Sequence, residues 1–196
     1  MVVVMASLTI CVPLAAAATP TISLSASSGS PGMDVLVSGT GFSPGELVQP
    51  VWGYSGPGTG VTQASYFYFN PIGVADASGA VTADFFVPDT AGGVYTVAAV
   101  GITSNSVATA QFTVVPRIDI GDSFGSAGSV LNLTGWGLGA KEPLSVTWDA
   151  TGAVMGRATT DSKGYFHGRT FTVPSSVTAG SYGITMTGLV SGVQFV

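Results

Sequence analysis

Polar and apolar residues alternate in short stretches along the chain. Residues 21–25 and 117–120 place an apolar side chain at every second position, and Val35 and Val37 continue the same period. A period of two sends successive side chains to opposite faces of a β-strand, so that one face is buried and the other faces solvent. Segments rich in Gly, Pro and Ser separate these stretches. The pattern therefore predicts many short β-strands joined by turns.

One stretch of the chain occurs twice. Residues 28–52 align without a gap with residues 124–148, at an offset of 96 positions. This offset matches the size of one sandwich-type β-domain, so the chain is predicted to be a tandem repeat of two domains. Near the end of the second repeat, residues 194–196 align with residues 111–113, so we expect both segments to occupy the same place in the last strand.

The repeat divides the chain into three parts. Residues 1–18 precede the first domain, which covers residues 19–115, and the second domain covers residues 116–196. Pro116 marks the boundary, and the linker is only a residue or two long. So short a linker favours a stiff rod of two domains over two domains that move independently of each other.

Residues 1–18 are apolar and end in four alanines. Such a segment resembles a signal peptide with a small-residue cleavage site, cut between Ala18 and Thr19. No Lys or Arg precedes the apolar run, which departs from the usual signal-peptide pattern. The segment is too short for a comfortable transmembrane helix, so we expect no stable membrane span in the mature chain.

Two alternatives for this segment remain open. Residues 2–4 and 8–10 have the character of an apolar strand, which, if retained, would complete the sheet of a neighbouring molecule. The second alternative is a lipid anchor on Cys11, the only cysteine of the sequence. If the segment is removed, the mature protein has no cysteine and must be stabilised by its cores and turns alone.

The composition excludes several classes of function. Only 8% of the residues are charged, 28 are Gly and 11 are Pro, and the net charge is −5. Because binding to nucleic acid requires clustered Lys and Arg, and no such cluster is present, nucleic acid is not expected as a partner. The low charge and the many turn residues are typical of an extracellular β-protein.

Few residues suit catalysis or metal binding. His167 is the sole histidine, and no motif links it to a nucleophile, so we expect an exposed histidine on a strand and no enzyme activity. Asp119 and Asp122 are too sparse a pair for a calcium site. Asn132 begins a glycosylation triplet but lies in a predicted strand rather than in a loop. No cofactor is expected.

An aromatic run distinguishes the first repeat from the second. Tyr66, Phe67, Tyr68 and Phe69 follow one another within an insertion that the second repeat lacks. Alternation assigns the two Phe to one face and the two Tyr to the other, so that the Phe side chains would fill the core. The alternative is a binding patch of Tyr54, Tyr66 and Tyr68, suited to stacking on sugars or to docking another subunit.

The repeated motifs resemble the immunoglobulin-like repeats of bacterial cell-surface and secreted proteins. The motifs are Ser-Pro-Gly at 30–32, Val-Ser-Gly-Thr-Gly-Phe at 37–42, Pro-Gly-Glu at 44–46, Asp-x-x-Gly at 76–79 and Gly-x-Tyr at 93–95. The resemblance implies an all-β fold of two tandem immunoglobulin-like Greek-key β-sandwiches. Such a resemblance is strong evidence for the fold and weak evidence for the function.

A second resemblance concerns the first repeat alone. Residues 20–42 are similar to the opening of the neocarzinostatin-type antibiotic carriers, small immunoglobulin-like proteins that hold an apolar chromophore. Those carriers are single domains with disulfides, whereas this chain has two repeats and one cysteine.

Together, these patterns predict a non-enzymatic structural or adhesive protein, secreted or associated with the cell surface. Its expected partners are copies of itself, which would assemble into a surface layer or filament, or other surface proteins. The alternative is an accessory module that binds carbohydrate, such as a polysaccharide, or a small molecule through the aromatic insertion of the first domain.

Overall fold

The computed structural model describes residues 19–56 and 73–195, and every regular element within these ranges is a β-strand. The first half contains β1 (Thr21–Leu24), β2 (Ser28–Gly29), β3 (Asp34–Thr40), β4 (Leu47–Trp52), β5 (Gly73–Val74), β6 (Val81–Phe86), β7 (Gly93–Gly101) and β8 (Val107–Val114). The second half contains β9 (Arg117–Ile120), β10 (Val130–Trp136), β11 (Pro143–Trp148), β12 (Ala153–Thr159), β13 (Phe166–Thr172), β14 (Ile184–Gly188) and β15 (Gln194–Phe195).

The strands form two separate sandwiches. In domain 1, a three-stranded sheet of order β1-β3-β6 faces a five-stranded sheet of order β2-β8-β7-β4-β5. In domain 2, a three-stranded sheet of order β13-β10-β9 faces a four-stranded sheet of order β12-β11-β14-β15. Within the part of the chain that the structure describes, no sheet contains strands of both halves. The predicted fold class, all-β with two tandem immunoglobulin-like sandwiches, is confirmed.

Aromatic side chains occupy the centre of the domain 1 core. The Trp52 ring lies 5.8 Å from the centroids of both Phe85 and Phe112, and those two Phe rings lie 6.2 Å apart. Trp52 is 5% exposed and Phe112 is fully buried, as expected for a tryptophan that fills a sandwich. Burial of each such ring stabilises the fold by about 1.5–3 kcal/mol, with a further contribution of about 0.5–1.5 kcal/mol from each favourable ring pair.

A tyrosine near the start of the strand that pairs with each core tryptophan's strand supports the immunoglobulin-like assignment: Tyr95 lies in β7, and Tyr182 lies two residues before β14. The Tyr95 ring stacks on Trp52 at 5.0 Å, and the Tyr182 ring lies 4.9 Å from Trp148. Each hydroxyl donates a hydrogen bond to the backbone carbonyl four residues upstream. This corner, in which a tyrosine closes the loop before its own strand, is a hallmark of immunoglobulin-like sandwiches.

The register of β15 differs from the sequence alignment. Gly101 and Gly188 begin turns of the same form, in which the glycine N–H donates to the carbonyl of the residue that directly precedes the next strand. The next strands then begin at Val107 and Gln194. Gln194 is therefore the counterpart of Val107, and the predicted match to residues 111–113 is wrong. Hydrogen bonds in the turn fix the register, and they outweigh a short likeness of sequence.

A buried glutamate connects two turns of domain 1. The carboxylate of Glu46 accepts hydrogen bonds from the N–H of Ser43 at 2.7 Å and from the N–H and Oγ of Ser104 at 3.1 and 3.0 Å. Gly101 leaves room for it, since a Cβ there would lie 2.6 Å from the carboxylate. The turn after β3 is thereby attached to the turn after β7.

Glu142 makes the same connection in domain 2. It accepts hydrogen bonds from the N–H groups of Gly139 and Ser191 at 3.1 and 2.7 Å, and a Cβ on Gly188 would lie 2.4 Å from it. Burial alone would raise the pKa of both glutamates, but the hydrogen bonds that they accept outweigh it, and each pKa lies below its ordinary value. Both side chains are therefore anions in the folded protein at neutral pH.

Replacement of Glu46 by Gln is expected to lower the free energy of unfolding at pH 7 by roughly 1–3 kcal/mol, because charge-assisted hydrogen bonds are lost. The folded-state pKa is lowered, so the stabilisation is present above the unfolded-state pKa of about 4.3 and is lost as the pH falls through the folded-state pKa. Urea titrations of wild type and Glu46→Gln at neutral and acid pH measure this. If the difference in free energy of unfolding between wild type and Glu46→Gln does not shrink in acid, Glu46 is not a stabilising anion. Glu142→Gln is expected to show the same loss of stability at pH 7 and the same decrease of that loss in acid.

Candidate functional site

Of the tyrosines predicted to bind a partner, Tyr54 is the one within the described residues. It is half-buried, and its N–H donates a hydrogen bond to the Thr96 carbonyl at 3.1 Å, which attaches the residue after β4 to β7. Tyr66 and Tyr68 lie outside the described residues. The predicted tyrosine patch therefore stays a prediction.

Only one of the two residues of the predicted cleavage site lies within the described residues. Ala18 lies outside the described residues, as does Cys11, whereas Thr19 is described and exposed. The Thr19 carbonyl lies against the turn at Gly41, where a Cβ would approach it to 2.9 Å. Cleavage before Thr19 and lipidation of Cys11 both stay predictions.

Of the two aspartates predicted to be too sparse for a calcium site, Asp119 forms an ion pair. Arg117 donates two hydrogen bonds to the Asp119 carboxylate, at 2.9 and 2.8 Å, while Asp122 is exposed. Within residues 19–56 and 73–195, no group of three or more His, Cys, Asp or Glu side chains is placed to hold a metal ion. Asn132 is exposed on β10, within a strand as predicted.

The outer surface of the β13-β10-β9 sheet carries a cluster of aromatic and charged side chains. We term it the aromatic face; it consists of Arg117, Asp119, Trp136, Tyr165 and His167. The guanidinium carbon of Arg117 lies 5.4 Å from the centroid of the Trp136 ring, and that ring lies 5.5 Å from Tyr165. The Tyr165 ring lies 5.7 Å from His167, and its hydroxyl is hydrogen-bonded to His167 Nδ1. The predicted exposed strand histidine is thus part of a larger surface.

Domain 1 has no such surface at the equivalent positions. Strand pairing in the two domains is the same, and it places small residues where domain 2 has the aromatic face. The equivalent residues are Thr21, Ser23, Thr40, Ala80 and Thr82. The aromatic face is therefore a property of domain 2 and is not required by the fold.

The chemistry of the aromatic face suits a ligand with both apolar and hydroxyl-bearing surfaces. Trp136 and Tyr165 are half-buried and offer ring surface, while the Arg117–Asp119 pair offers a planar donor and an acceptor beside them. Sequence reasoning missed this site. The available signal was the alignment of Trp136 with Thr40, a large aromatic in one repeat where the other has a small polar residue.

The two domains contact each other directly. Gly92, in the loop before β7, donates a hydrogen bond to the Leu138 carbonyl of domain 2 at 2.9 Å. A Cβ at position 92 would lie 2.5 Å from the Gly137 carbonyl, and a Cβ at position 164 would lie 2.9 Å from the Cα of Ala91. The loop before β7 therefore fits closely against two turns of domain 2.

Domain 2 also contains an apolar cleft between the edges of its two sheets. The cleft has a volume of about 90 Å³ and is lined by Ile118, Ile120, Leu133, Ile184, Met186 and Phe195. These residues lie on β9 and β10 of one sheet and on β14 and β15 of the other. The described part of the chain contains no helix long and apolar enough to cross a membrane.

Two of the solved structures that resemble this chain do so at low sequence identity. A biofilm-associated protein, BSP domain, is 15% identical with a TM-score of 0.29 over 90% of this chain, which spans only 28% of the length of that one. A mouse coronavirus receptor-binding domain in complex with its murine receptor is 14% identical with a TM-score of 0.28, over 87% of this chain and 93% of that one. Neither TM-score indicates a shared overall arrangement.

Comparison with protein families identifies the family of the first domain. No curated protein matches the chain. The likeness to neocarzinostatin-type carriers stays a prediction. Residues 17–114 match the macroglobulin-like domain, an immunoglobulin-like β-sandwich, and this match covers half of the sequence. The chain therefore belongs to the macroglobulin-like domain family.

Proposed function

We propose that the chain is a non-enzymatic extracellular protein with a structural or adhesive role, secreted or held at the cell surface, whose copies self-assemble into a layer or filament. The observation that carries this proposal is the direct docking of the two domains. A rod that carries tension needs stiffness between its units, and the hydrogen bond and close packing at this junction contribute to it.

The linker supports stiffness as well. β8 ends at Val114 and β9 begins at Arg117, so only Val115 and Pro116 separate the two sandwiches. Proline has a fixed φ, and a Cβ at position 137 would lie 2.9 Å from the Val115 carbonyl. The linker is thus packed against domain 2 rather than free to rotate.

The surface composition supports association with other copies or other surface proteins. Only 8% of the residues are charged, so few charged side chains lose their hydration when two copies come into contact. Several large apolar side chains are exposed, among them Phe124 at 84% and Val190 at 80%. Contact with a partner that covers these side chains would remove their apolar surface from water.

A second candidate function rests on the aromatic face of domain 2. Rings of Trp136 and Tyr165 beside the Arg117–Asp119 pair are the residue types that stack on sugar rings and bond their hydroxyls. Binding of a polysaccharide at this face would serve an adhesive protein as well as an accessory binding module. This site is independent of the predicted tyrosine patch of domain 1.

Self-assembly is expected to be visible in the purified chain with residues 1–18 retained. Sedimentation velocity across a range of protein concentrations should show growth of large species, and negative-stain images should show filaments or sheets. The same measurements on a chain that begins at Thr19 test whether assembly needs the first segment. Monodisperse monomers for both chains at every concentration would contradict the structural proposal.

Substitution Gly92→Ala is expected to open the domain junction without unfolding either domain. The new Cβ would meet the Gly137 carbonyl, and the hydrogen bond to Leu138, with a net contribution of roughly 0.5–1.5 kcal/mol, would be lost. Small-angle scattering should then show a broader distribution of interdomain distances. Gly180→Ala is the matched control, since a Cβ there meets only the Tyr182 ring at 3.6 Å. An unchanged scattering curve for Gly92→Ala would argue against a stiff junction.

The double substitution Trp136→Ala, Tyr165→Ala is expected to reduce polysaccharide binding at least tenfold, since each stacked ring contributes on the order of 1 kcal/mol. Pull-down with insoluble polysaccharides measures it, and a thermal melt checks the fold. Phe86→Ala is the control, because this Phe is 60% exposed on the equivalent sheet of domain 1. Equal losses in both variants would exclude a specific sugar site on the aromatic face.

A further inference from the structure

The charged residues are distributed unequally between the two domains. Residues 19–115 contain five Asp and Glu and no Lys, Arg or His, whereas residues 116–196 contain all five Lys and Arg, the single histidine and the other five Asp and Glu. Domain 1 therefore carries the whole net charge of −5, and domain 2 has a formal net charge of zero. Such an asymmetry favours contact between unlike domains of two molecules over contact between two copies of domain 1.

Domain 1 has an acidic and apolar patch on the outer surface of its three-stranded sheet. We term it the acidic face; it consists of Asp34, Leu36, Asp84 and Phe86. Asp34 pairs with Phe86 and Leu36 pairs with Asp84, so a carboxylate lies beside an apolar side chain in each pair. Leu36 is 45% exposed and Phe86 is 60% exposed. Neither carboxylate has an ion-pair partner among the described residues.

The acidic face is a property of domain 1 and is not required by the fold. Strand pairing places Val130, Asn132, Thr170 and Thr172 at the equivalent positions of domain 2, and none of these residues is charged. The three-stranded sheet has the same strand order in both domains, so like positions are compared. On this sheet, each domain thus has a set of side chains that the other lacks.

Two cations accompany the aromatic face of domain 2. Lys163 lies two residues before Tyr165, Arg169 lies on β13, and both are exposed. Asp161 is the nearest carboxylate to them in sequence, and its Oδ1 accepts hydrogen bonds from the N–H groups of Lys163 and Tyr165 at 2.7 and 3.0 Å. Within residues 19–56 and 73–195, neither cation belongs to an ion pair. Both cations are therefore available to carboxylates of another molecule.

The acidic face and the aromatic face lie on either side of the domain junction. Pro31, three residues before β3, lies 3.1 Å from the position of a Cβ on Gly137, which directly follows β10. Ala91, in the loop after β6, lies 2.9 Å from the position of a Cβ on Gly164, two residues before β13. Strand β10 therefore continues below β3, and β13 below β6. Because the strand order is the same, the outer surfaces of both sheets point to the same side of the rod.

We propose that two copies of the chain associate side by side in antiparallel orientation, with the acidic face of each copy on the aromatic face of the other. A two-fold axis at the junction forms both contacts at once, because the two faces flank the junction on one side of the rod. This inference rests on the proposed self-assembly and names the surfaces of its first contact.

The two faces match in their chemistry. In the pair, Leu36 and Phe86 are removed from water against the rings of Trp136 and Tyr165, and aromatic side chains are enriched at such contacts. The carboxylates of the acidic face meet the cations that accompany the aromatic rings. This complementarity favours the antiparallel orientation over a parallel one, in which like faces would meet.

The size of the faces predicts a weak pair whose formation depends on protein concentration. Each face spans three strands, about 14 Å, and about six residues along a strand, about 20 Å. The two faces of one copy therefore offer roughly 600 Å², against about 800 Å² per partner in a standard interface. We expect monomers and pairs in equilibrium.

Charge reversal on each face tests the contact. Asp34→Lys with Asp84→Lys brings like charges together, so sedimentation velocity of the full chain should show a dissociation constant at least about tenfold higher. Lys163→Glu with Arg169→Glu should have the same effect. A chain with all four substitutions should associate as wild type does, because both faces are then reversed. Thermal melts check that each variant is folded.

A matched control separates this contact from a general effect of net charge. Asp122→Lys with Asp149→Lys changes the net charge by the same amount as reversal of the acidic face, at exposed positions remote from the junction. Wild-type association of this control is expected. An equal loss of association in the control, or no recovery in the folded fourfold variant, would overturn the proposal.

Two further outcomes separate this proposal from the functions proposed above. Association that is unchanged by every charge reversal, with polysaccharide binding that is lost in Trp136→Ala, Tyr165→Ala, would assign the aromatic face to sugar and overturn the pairing. Filaments that persist in Asp34→Lys with Asp84→Lys in negative-stain images would refute this contact and leave the structural role intact.

Discussion

Each sandwich depends on closure of its apolar core at the side, where the edges of the two sheets meet. In domain 1, β8 provides this closure: Phe112 packs on Trp52 and Phe85 inside, and the Thr113 N–H donates to the Ser27 carbonyl at 2.9 Å outside. Apolar sheet faces are stabilising only where water is excluded between them. The stability of domain 1 therefore depends on this closure by β8.

Local patterns were sufficient to predict the fold. Alternation and turn-forming residues act over a few positions, and the duplication of residues 28–52 showed which of them belong to the scaffold. The register of β15 was not predictable in this way. This register depends on the hydrogen-bonded turn after Gly188, which is equivalent to the turn after Gly101. The sequence likeness of Gln194 and Phe195 to residues 111–112 favoured a different alignment.

The aromatic face was not predicted, because its members are distant in the sequence. Arg117, Trp136 and Tyr165 become neighbours only when β9 and β13 pair on either side of β10. Sequence reasoning instead favoured the consecutive run that contains Tyr66 and Tyr68, which is visible without any strand pairing. A comparison of the two repeats position by position, rather than a search for motifs, is what exposes such a surface.

The parallel pairing of β2 with β8 gives domain 1 a particular response to tension. Pulling on Thr19 and on Pro116 draws β2 and β8 in opposite directions along their own lengths. The hydrogen bonds from the N–H groups of Thr113 and Val115 lie across that direction, so they are strained together in shear rather than opened one after another.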